Sequence, residues 1–268
     1  MANQLIEKDG VKDLTLVFNN SFTSEVIQDL TAQEKDLLMA VLSVIKRKGS
    51  VEVPIYFSDI KLLFNRPTMG NSTIAELSYS LWRKVKVVDY VLYAFGKPSG
   101  GVPLFSFWGV DEKKLSLNVQ INPALEYFVN SFERGNYSSL LYREFRETKD
   151  KYGKTLFLLL SQWKSVGSLT LTKEDLEHKL DVPLSYRENT RLLNDKVIKP
   201  AMKSLSELFD NLELEKIKKG RRITHYRFSF TPEERPYKKQ KTKKNIPKKT
   251  QTSTISDSEY DEMLSSLL

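Results

Sequence analysis

The segment from residue 190 to 230 constrains the fold more than any other part of the chain. Residues 190–211 carry apolar side chains at helical spacing, and the opposite face is polar and cationic. Two further segments, 212–219 and 222–230, meet at Gly220, which predicts a β-hairpin. The hairpin tip holds four cations and no anion: Lys218, Lys219, Arg221 and Arg222. A cationic helix beside a cationic hairpin tip is typical of a winged helix-turn-helix, whose helix enters the DNA major groove and whose wing follows the phosphate backbone.

The predicted helix has two distinct faces and one residue that disturbs it. Its apolar face comprises Leu193, Val197, Ala201, Leu205 and Leu208. Its polar face comprises Thr190, Arg191, Asn194, Lys196, Lys199 and Lys203. Pro200 lies inside the helix, where it removes one backbone hydrogen bond and crowds the preceding turn, so we expect either a kink or two helices. The continued apolar spacing favours the kink. A solvated amphipathic helix followed by a charged turn is the alternative interpretation.

The order of elements around this segment also occurs earlier in the chain. In the first half, a capping-box pattern at Thr31 and Glu34 opens a helix, and a short strand, a short helix and a longer helix follow. The second half repeats this order from residue 149 to the hairpin. We therefore predict an α+β fold with two tandem winged-helix domains, at 1–134 and 135–231, and a disordered C-terminal tail at 232–268.

The first half contains a second candidate DNA-recognition helix and a group of strands that are rich in aromatic residues. The helix is less cationic than the one after residue 190, and it offers Arg83 and Lys84. Segments 87–95 and 104–110 are predicted to form a hairpin around the loop 96–103, with 115–121 as a third strand. These strands contain Tyr90, Tyr93, Phe95, Phe105, Phe107 and Trp108. They either cover this domain's own core or pair with the same strands of a second copy of the chain.

The distribution of charge favours an anionic polymer as the partner. The formal net charge is +8, and residues 232–250 alone hold eight Lys or Arg and two Glu. This balance favours nucleic acid over a membrane surface. The basic segment is either an auxiliary DNA arm or a solubilising linker. Residues 251–268 are acidic, and their apolar side chains are spaced for one helical face, which indicates a helix that folds on a protein partner.

Several classes of protein are disfavoured. The absence of cysteine excludes disulfides and Cys-ligated metals and fits a cytoplasmic protein, and we find neither a signal peptide nor a membrane span. Gly153-Lys154-Thr155 resembles the end of a phosphate-binding loop, but Thr148 stands where that loop needs glycine. His178 and His225 lack the spacing of a metal pair. The sequence therefore predicts no enzyme, cofactor or metal, and a rolling-circle nickase is the least favoured reading.

Four motifs carry a resemblance to a known family over roughly residues 10–230. They are Thr31-Ala-Gln-Glu-Lys-Asp-Leu-Leu38, Lys154-Thr-Leu-Phe-Leu-Leu-Leu-Ser-Gln-Trp163, Leu176-Glu-His-Lys-Leu180, and Val197-Ile-Lys-Pro-Ala201 followed by Leu205. In their order and spacing, the chain resembles the initiator Rep proteins of theta-replicating, iteron-containing plasmids (RepA/RepE type). Members of that family have two winged-helix domains and a Pro-Ala pair in this helix. The resemblance implies binding of direct repeats at a plasmid origin, opening of an adjacent AT-rich stretch, and recruitment of host replication proteins.

The resemblance also implies roles for the two domains. The helix from Thr190 and the wing at Gly220 would be the main contacts to double-stranded origin DNA, and the first domain would supply dimerisation and a secondary DNA contact. Monomers would initiate replication, whereas dimers would repress their own gene and so take part in plasmid copy control. A winged-helix transcriptional repressor or partition-type regulator without initiator activity is the alternative.

Bidentate geometry suggests which side chains of the second domain would read bases. Arg191 and Asn194 lie one turn apart near the helix start, where Arg would prefer guanine and Asn adenine. The remaining cations would hold phosphates, which adds affinity without sequence information. They are Lys196, Lys199, Lys218, Lys219, Arg221 and Arg222.

Overall fold

The computed structural model describes residues 14–19, 27–46, 48–85, 89–94, 97–126 and 137–233. Within these ranges, two winged-helix modules occur in tandem, as predicted. The predicted domain boundary between residues 134 and 135 lies outside the described residues, and so does the predicted tail from residue 234 onward.

The first module is built around a three-stranded antiparallel sheet in the order β2-β6-β5. Its elements are β1 Thr15–Asn19, α1 Ala32–Ile45, β2 Val53–Tyr56, α2 Phe57–Leu63, α3 Asn71–Val85, β3 Asp89–Ala94, β4 Lys97–Pro103, β5 Phe105–Asp111, β6 Ser116–Ile121 and a 3-10 turn Pro123–Leu125. The capping box that opens α1 is confirmed. The Thr31 N–H donates to Glu34 Oε2 at 2.7 Å, and the Glu34 N–H donates to Thr31 Oγ1 at 3.3 Å.

The hairpin of the first module differs from the prediction. β3 pairs with β4, from Asp89 opposite Pro103 to Ala94 opposite Lys97, whereas β5 pairs with β6. Most of the predicted loop at 96–103 is therefore a strand. Its sequence, with two prolines and two glycines, has low intrinsic strand propensity, but pairing with a partner strand outweighs that weak preference. A register shift between Leu92 and Tyr93 accommodates the irregular strand as a bulge.

The second module repeats the arrangement with a sheet in the order β8-β10-β9. The elements from residue 137 onward are β7 Tyr137–Leu141, α4 Tyr142–Glu147, α5 Lys151–Ser161, β8 Ser168–Thr172, α6 Lys173–Lys179, α7 Leu184–Arg187, α8 Thr190–Leu193, a π-helical turn Asn194–Ile198, α9 Lys199–Leu205, β9 Glu213–Lys219 and β10 Arg222–Ser229. In both modules, the strand before the helix-turn-helix pairs with the last strand of the wing. β7 pairs with β1 at the start of the chain.

Residues 190–205 form one continuous helical run, which we call the composite helix. Pro200 follows directly on the π-helical turn, in which the Lys199 N–H donates to the Asn194 carbonyl. This wider turn accommodates the proline ring, which would otherwise crowd the carbonyl one turn earlier. The composite helix ends at Leu205, before the predicted end at residue 211, and Asn211 has a positive φ of 57°. Four residues of its predicted apolar face are each 0% exposed: Leu193, Val197, Ala201 and Leu205. Leu208, the fifth, lies beyond the end of the helix and is partly buried against the core.

Two lysines are buried where α1 packs against α5. Lys154 Nζ lies 2.6 Å from Asp36 Oδ1. Lys35 Nζ donates to Thr155 Oγ1 at 2.6 Å and to the Lys151 carbonyl at 3.0 Å. Gly153-Lys154-Thr155 is therefore a helix-packing segment and not a phosphate-binding loop. Among the described residues, no helix combines the length and the apolar character that crossing a membrane requires.

Candidate nucleic-acid interface

The composite helix presents a polar face to solvent near its N-terminus. Asn189 caps the helix, because its Oδ1 accepts from the Arg191 N–H at 3.0 Å and from the Leu192 N–H at 3.2 Å. The Arg191 side chain is 90% exposed and that of Lys199 is 72% exposed. Thr190, Lys196 and Lys203 are exposed as well. Five of the six predicted helix contacts are therefore accessible to a macromolecular partner.

Asn194, the sixth predicted contact, is turned toward the helix backbone. Its Nδ2 donates to the Thr190 carbonyl at 2.6 Å, and its Oδ1 is buried and has no hydrogen-bond partner among the described residues. In this conformation the oxygen that would accept from adenine N6 is therefore not accessible. Reading an adenine would require rotation of the side chain, which would release the contact to Thr190 and expose the unpaired oxygen.

The sequence-based prediction left out Asp195, which lies within the cationic face. Asp195 Oδ1 is 2.6 Å from Lys199 Nζ, and Asp195 Oδ2 is 3.7 Å from Arg191 Nε. The hydrogen bond from Lys199 holds the pKa of Asp195 below its ordinary value. The i,i+4 spacing of the three residues was visible in the sequence and could have revealed this row.

The wing concentrates positive charge at its tip. Arg222 lies opposite Lys219, which leaves a two-residue loop, and Gly220 has a positive φ of 63° with nothing within 4 Å of an added Cβ. Glycine is needed here for its conformation, as in a type II′ turn, and not for space. The four cations of the tip are exposed. No carboxylate among the described residues lies within 4.0 Å of them, whereas lower on the wing Arg227 Nη1 pairs with Glu215 Oε2 at 3.0 Å.

The predicted cations of the first module have different environments. Arg83 is exposed near the end of α3. Lys84 Nζ donates to Glu34 Oε2 at 2.7 Å and to the Asp29 carbonyl at 2.9 Å. Burial alone raises the pKa of Glu34, but hydrogen bonds from Lys84 and Ser80 bring that pKa below its ordinary value. Lys84 therefore stabilises the packing of α3 against α1.

Of the six aromatic residues predicted on the strands of the first module, three have described side chains, whereas the side chains of Tyr90 and Tyr93 and the whole of Phe95 lie outside the described residues. Phe105 and Trp108 belong to the core, whereas the side chain of Phe107 is 43% exposed. The predicted pairing with a second copy of the chain stays a prediction. Tyr142 is fully buried, and its hydroxyl donates to the Asp36 carbonyl at 3.2 Å. In the described ranges, no group of three or more His, Cys, Asp or Glu side chains is arranged to hold a metal ion.

Comparisons with known proteins agree with the two modules. The sequence matches the family described as "Initiator Replication protein, WH1" over residues 15–161 and "Initiator Rep protein, WH2" over residues 172–230. The "Probable replication protein rep" of Bifidobacterium longum (strain NCC 2705) is 23% identical over 220 residues, which cover 82% of this chain and 73% of that protein. The fold is also similar to "Crystal structure of Pi initiator protein in complex with iteron DNA", with a TM-score of 0.66, 13% identity, and coverage of 84% of this chain and 99% of that one. The chain therefore belongs to the initiator replication protein family, with WH1 and WH2 winged-helix domains.

Proposed function

We propose that this protein initiates plasmid replication by binding direct repeats, or iterons, in its double-stranded origin. The observation that carries this proposal is the combination of an exposed cationic helix face and an exposed cationic wing tip in one winged-helix module. A helix of this kind fits the major groove, and the wing fits the adjacent phosphates. Membership of the initiator family and the fold shared with a Pi initiator crystallised with iteron DNA support this class of ligand.

Within the composite helix, Arg191 would read a base, since its guanidinium is exposed and can donate two hydrogen bonds to guanine. Asn194 would read an adjacent base after rotating outward. The cations that would contact phosphates are Lys196, Lys199, Lys203, Lys218, Lys219, Arg221 and Arg222. Thr190, at the helix start, would contribute a hydroxyl to a nearby phosphate.

The first domain would have two functions, self-association and a secondary DNA contact. Arg83 is the better candidate for the DNA contact, because Lys84 is already paired with Glu34. The exposed side chains of Phe107 on β5 and Tyr79 on α3, which line one surface depression, support a protein-facing role for this domain. As a monomer the protein would open the neighbouring duplex and recruit host replication proteins, and as a dimer it would repress its own gene.

A nuclease footprint on the DNA that flanks the gene, combined with permanganate oxidation of unpaired thymines, tests this proposal. We expect protection of several direct repeats and reactive thymines in an adjacent AT-rich stretch. Protection of a single inverted repeat without thymine reactivity would contradict initiation and would favour a winged-helix repressor. Nicking that depends on a divalent metal would contradict the assignment as a non-enzyme.

A further inference from the structure

We propose that Asp195 is a specificity-determining residue, which suppresses binding to arbitrary DNA and orients Arg191 toward a base. This inference rests on the proposed function, since it requires the composite helix to enter the major groove. It assigns a role to the one acidic residue of the composite helix, whose other charged side chains are positive.

The geometry places one carboxylate between two cations along the composite helix. Asp195 lies one turn from Arg191 and one turn from Lys199, and it contacts both, at 3.7 Å and 2.6 Å. The Asp195 side chain is 37% exposed, so its carboxylate reaches the surface without extending as far as the two cations. The three side chains form a row that alternates between positive, negative and positive charge.

This row of alternating charges should favour different DNA contacts from those that a purely cationic face would favour. A carboxylate cannot accept a hydrogen bond from a phosphate and is repelled by it, so Asp195 disfavours arrangements in which this row lies along the backbone. In the major groove the available donors are the amino groups of cytosine and adenine, and an aspartate can accept from cytosine N4. The row is therefore complementary to two adjacent base pairs, one with hydrogen-bond acceptors for Arg191 and the other with an amino-group donor for Asp195.

The contact with Asp195 also restrains Arg191 before DNA binds. An exposed arginine samples many rotamers, and ordering it at an interface opposes binding. A carboxylate one turn away reduces this disorder and keeps the guanidinium near the groove-facing side of the helix. If Asp195 only stabilised the helix, its loss would change the stability of the protein but not the ratio of specific to non-specific affinity.

The test compares Asp195→Asn with Glu207→Gln in the full-length protein. Both substitutions remove one negative charge without a large change of shape, and Glu207 is exposed beyond the end of the composite helix. The probes are a duplex that the wild-type protein selects from a random-sequence pool and a scrambled duplex of the same composition. Affinities for both are measured at several salt concentrations, together with thermal unfolding of each variant.

We expect Asp195→Asn to bind the scrambled duplex more tightly and to lose about five-fold or more of the wild-type discrimination, a typical value for one base contact. Glu207→Gln should keep the wild-type discrimination. Unchanged discrimination in Asp195→Asn, or an equal loss in both variants, would overturn the inference.

A separate result would identify failure of the proposed function itself. If the wild-type protein selects no sequence from the random pool, the composite helix is not a base-reading element. If it selects a sequence and Arg191→Ala loses that preference while Asp195→Asn keeps it, the proposed function stands and only the role of Asp195 is wrong.

Discussion

At the scale of single residues, Arg191 is the side chain whose role can be tested most directly. We predict that Arg191→Ala relaxes the preference at one base position and costs roughly 1–3 kcal/mol of binding free energy there. Competition between duplexes that differ at single positions measures this effect. Lys203→Ala is the matched control, because an exposed lysine on the same helix should weaken binding to all sequences alike. A uniform loss in Arg191→Ala would mean that Arg191 contacts a phosphate.

Lys35 gives a second prediction at this scale, on the pH dependence of stability. Burial, and to a smaller extent the charges of Lys151 and Lys154, lower its pKa from 10.5 to about 7 against the opposing charges of Asp181 and Asp150. Between these two pH values the unfolded chain binds more protons than the folded protein, so the free energy of unfolding should rise with pH.

Urea unfolding at pH 7, 8 and 9 tests the prediction for Lys35. In Lys35→Met the free energy of unfolding should change less with pH than in the wild-type protein, because methionine does not titrate. Thr155 Oγ1 still donates to the Lys151 carbonyl at 3.1 Å, so the substitution leaves that hydroxyl with a partner. Lys48→Met, at an exposed position, should keep the wild-type slope. An identical slope in Lys35→Met and the wild-type protein would show that Lys35 does not cause the effect.

The sequence revealed which residues of the composite helix face solvent, but not how their side chains interact. Helical periodicity placed Arg191 and Lys199 on the exposed face, because that inference needs only the spacing of the apolar residues. The inward rotation of Asn194 depends on the local geometry of the helix next to the π-helical turn. The pairing of Lys84 with Glu34 depends on how α3 crosses α1, which no local pattern encodes.

At the scale of elements, α5 and the composite helix approach closely at Gly153. An added Cβ would lie 2.5 Å from both Asp150 Oδ2 and Ser204 Oγ, which are themselves hydrogen-bonded at 2.8 Å. Alanine ordinarily stabilises a helix relative to glycine by about 1 kcal/mol. We predict the opposite here, with Gly153→Ala lowering the free energy of unfolding by about 1–3 kcal/mol through overpacking.

Denaturant unfolding measures this effect, and two further variants identify its cause. In Gly153→Ala/Ser204→Ala the Ser204 hydroxyl, one of three atoms within 3.0 Å of the added Cβ, is removed, so part of the lost stability should return. Gly70→Ala is the control, since the nearest atom to its added Cβ is Thr73 Oγ1 at 3.4 Å. A stabilised Gly153→Ala variant would mean that the two helices adjust at no cost.

The wing gives another prediction at the element scale. Because its tip projects four cations without a nearby carboxylate among the described residues, we expect it to neutralise DNA phosphates. Arg221→Ala/Arg222→Ala should reduce the dependence of affinity on salt concentration by up to about two units of slope. The control Arg227→Ala removes a cation that is already paired with Glu215 and should leave the slope nearly unchanged. An unchanged slope in the double variant would remove the wing from the interface.

The predicted helices and strands agree best with the structure where their ends are determined by residues within one turn. Thr31 opens α1 as expected, because a side-chain cap needs only residues within one turn. β4 was missed because its prolines and glycines suggest a loop, and only its pairing with β3 makes it a strand. The sequence could not show how the helix accommodates Pro200, because a kink and a π-helical turn both relieve the same steric clash.

At the scale of the whole molecule, the repeated order of elements predicted two winged-helix domains, and the equivalent sheet orders β2-β6-β5 and β8-β10-β9 agree with it. The contacts that join the two modules were not predictable, because they bring together residues far apart in the chain. Examples are the hydrogen bonds from Gln28 Nε2 to the His178 carbonyl and from the Asp29 N–H to Asp181 Oδ2. The division at residues 134 and 135 stays a prediction.

The acidic C-terminal segment, 251–268, gives a prediction that separates DNA binding from replication in the whole protein. Its four carboxylates make it a poor DNA ligand, whereas its apolar side chains at helical spacing are suited to a protein groove. We therefore propose that it binds a host replication protein. Deleting the segment should leave the affinity for origin DNA intact and lower the plasmid copy number.

Substitutions in the full-length chain distinguish the loss of apolar contacts to a partner from the effect of shortening the chain. A triple variant with serine at the apolar positions should replicate as poorly as the deletion: Met263→Ser, Leu264→Ser and Leu267→Ser. A control with the same number of changes in the same segment should replicate normally: Ser258→Ala, Ser265→Ala and Ser266→Ala. If the deletion supports a normal copy number, the segment recruits no essential partner. If the deletion weakens origin binding to the same degree as replication, the segment contributes to DNA recognition. A defect in recruiting a partner would instead leave the affinity for DNA unchanged.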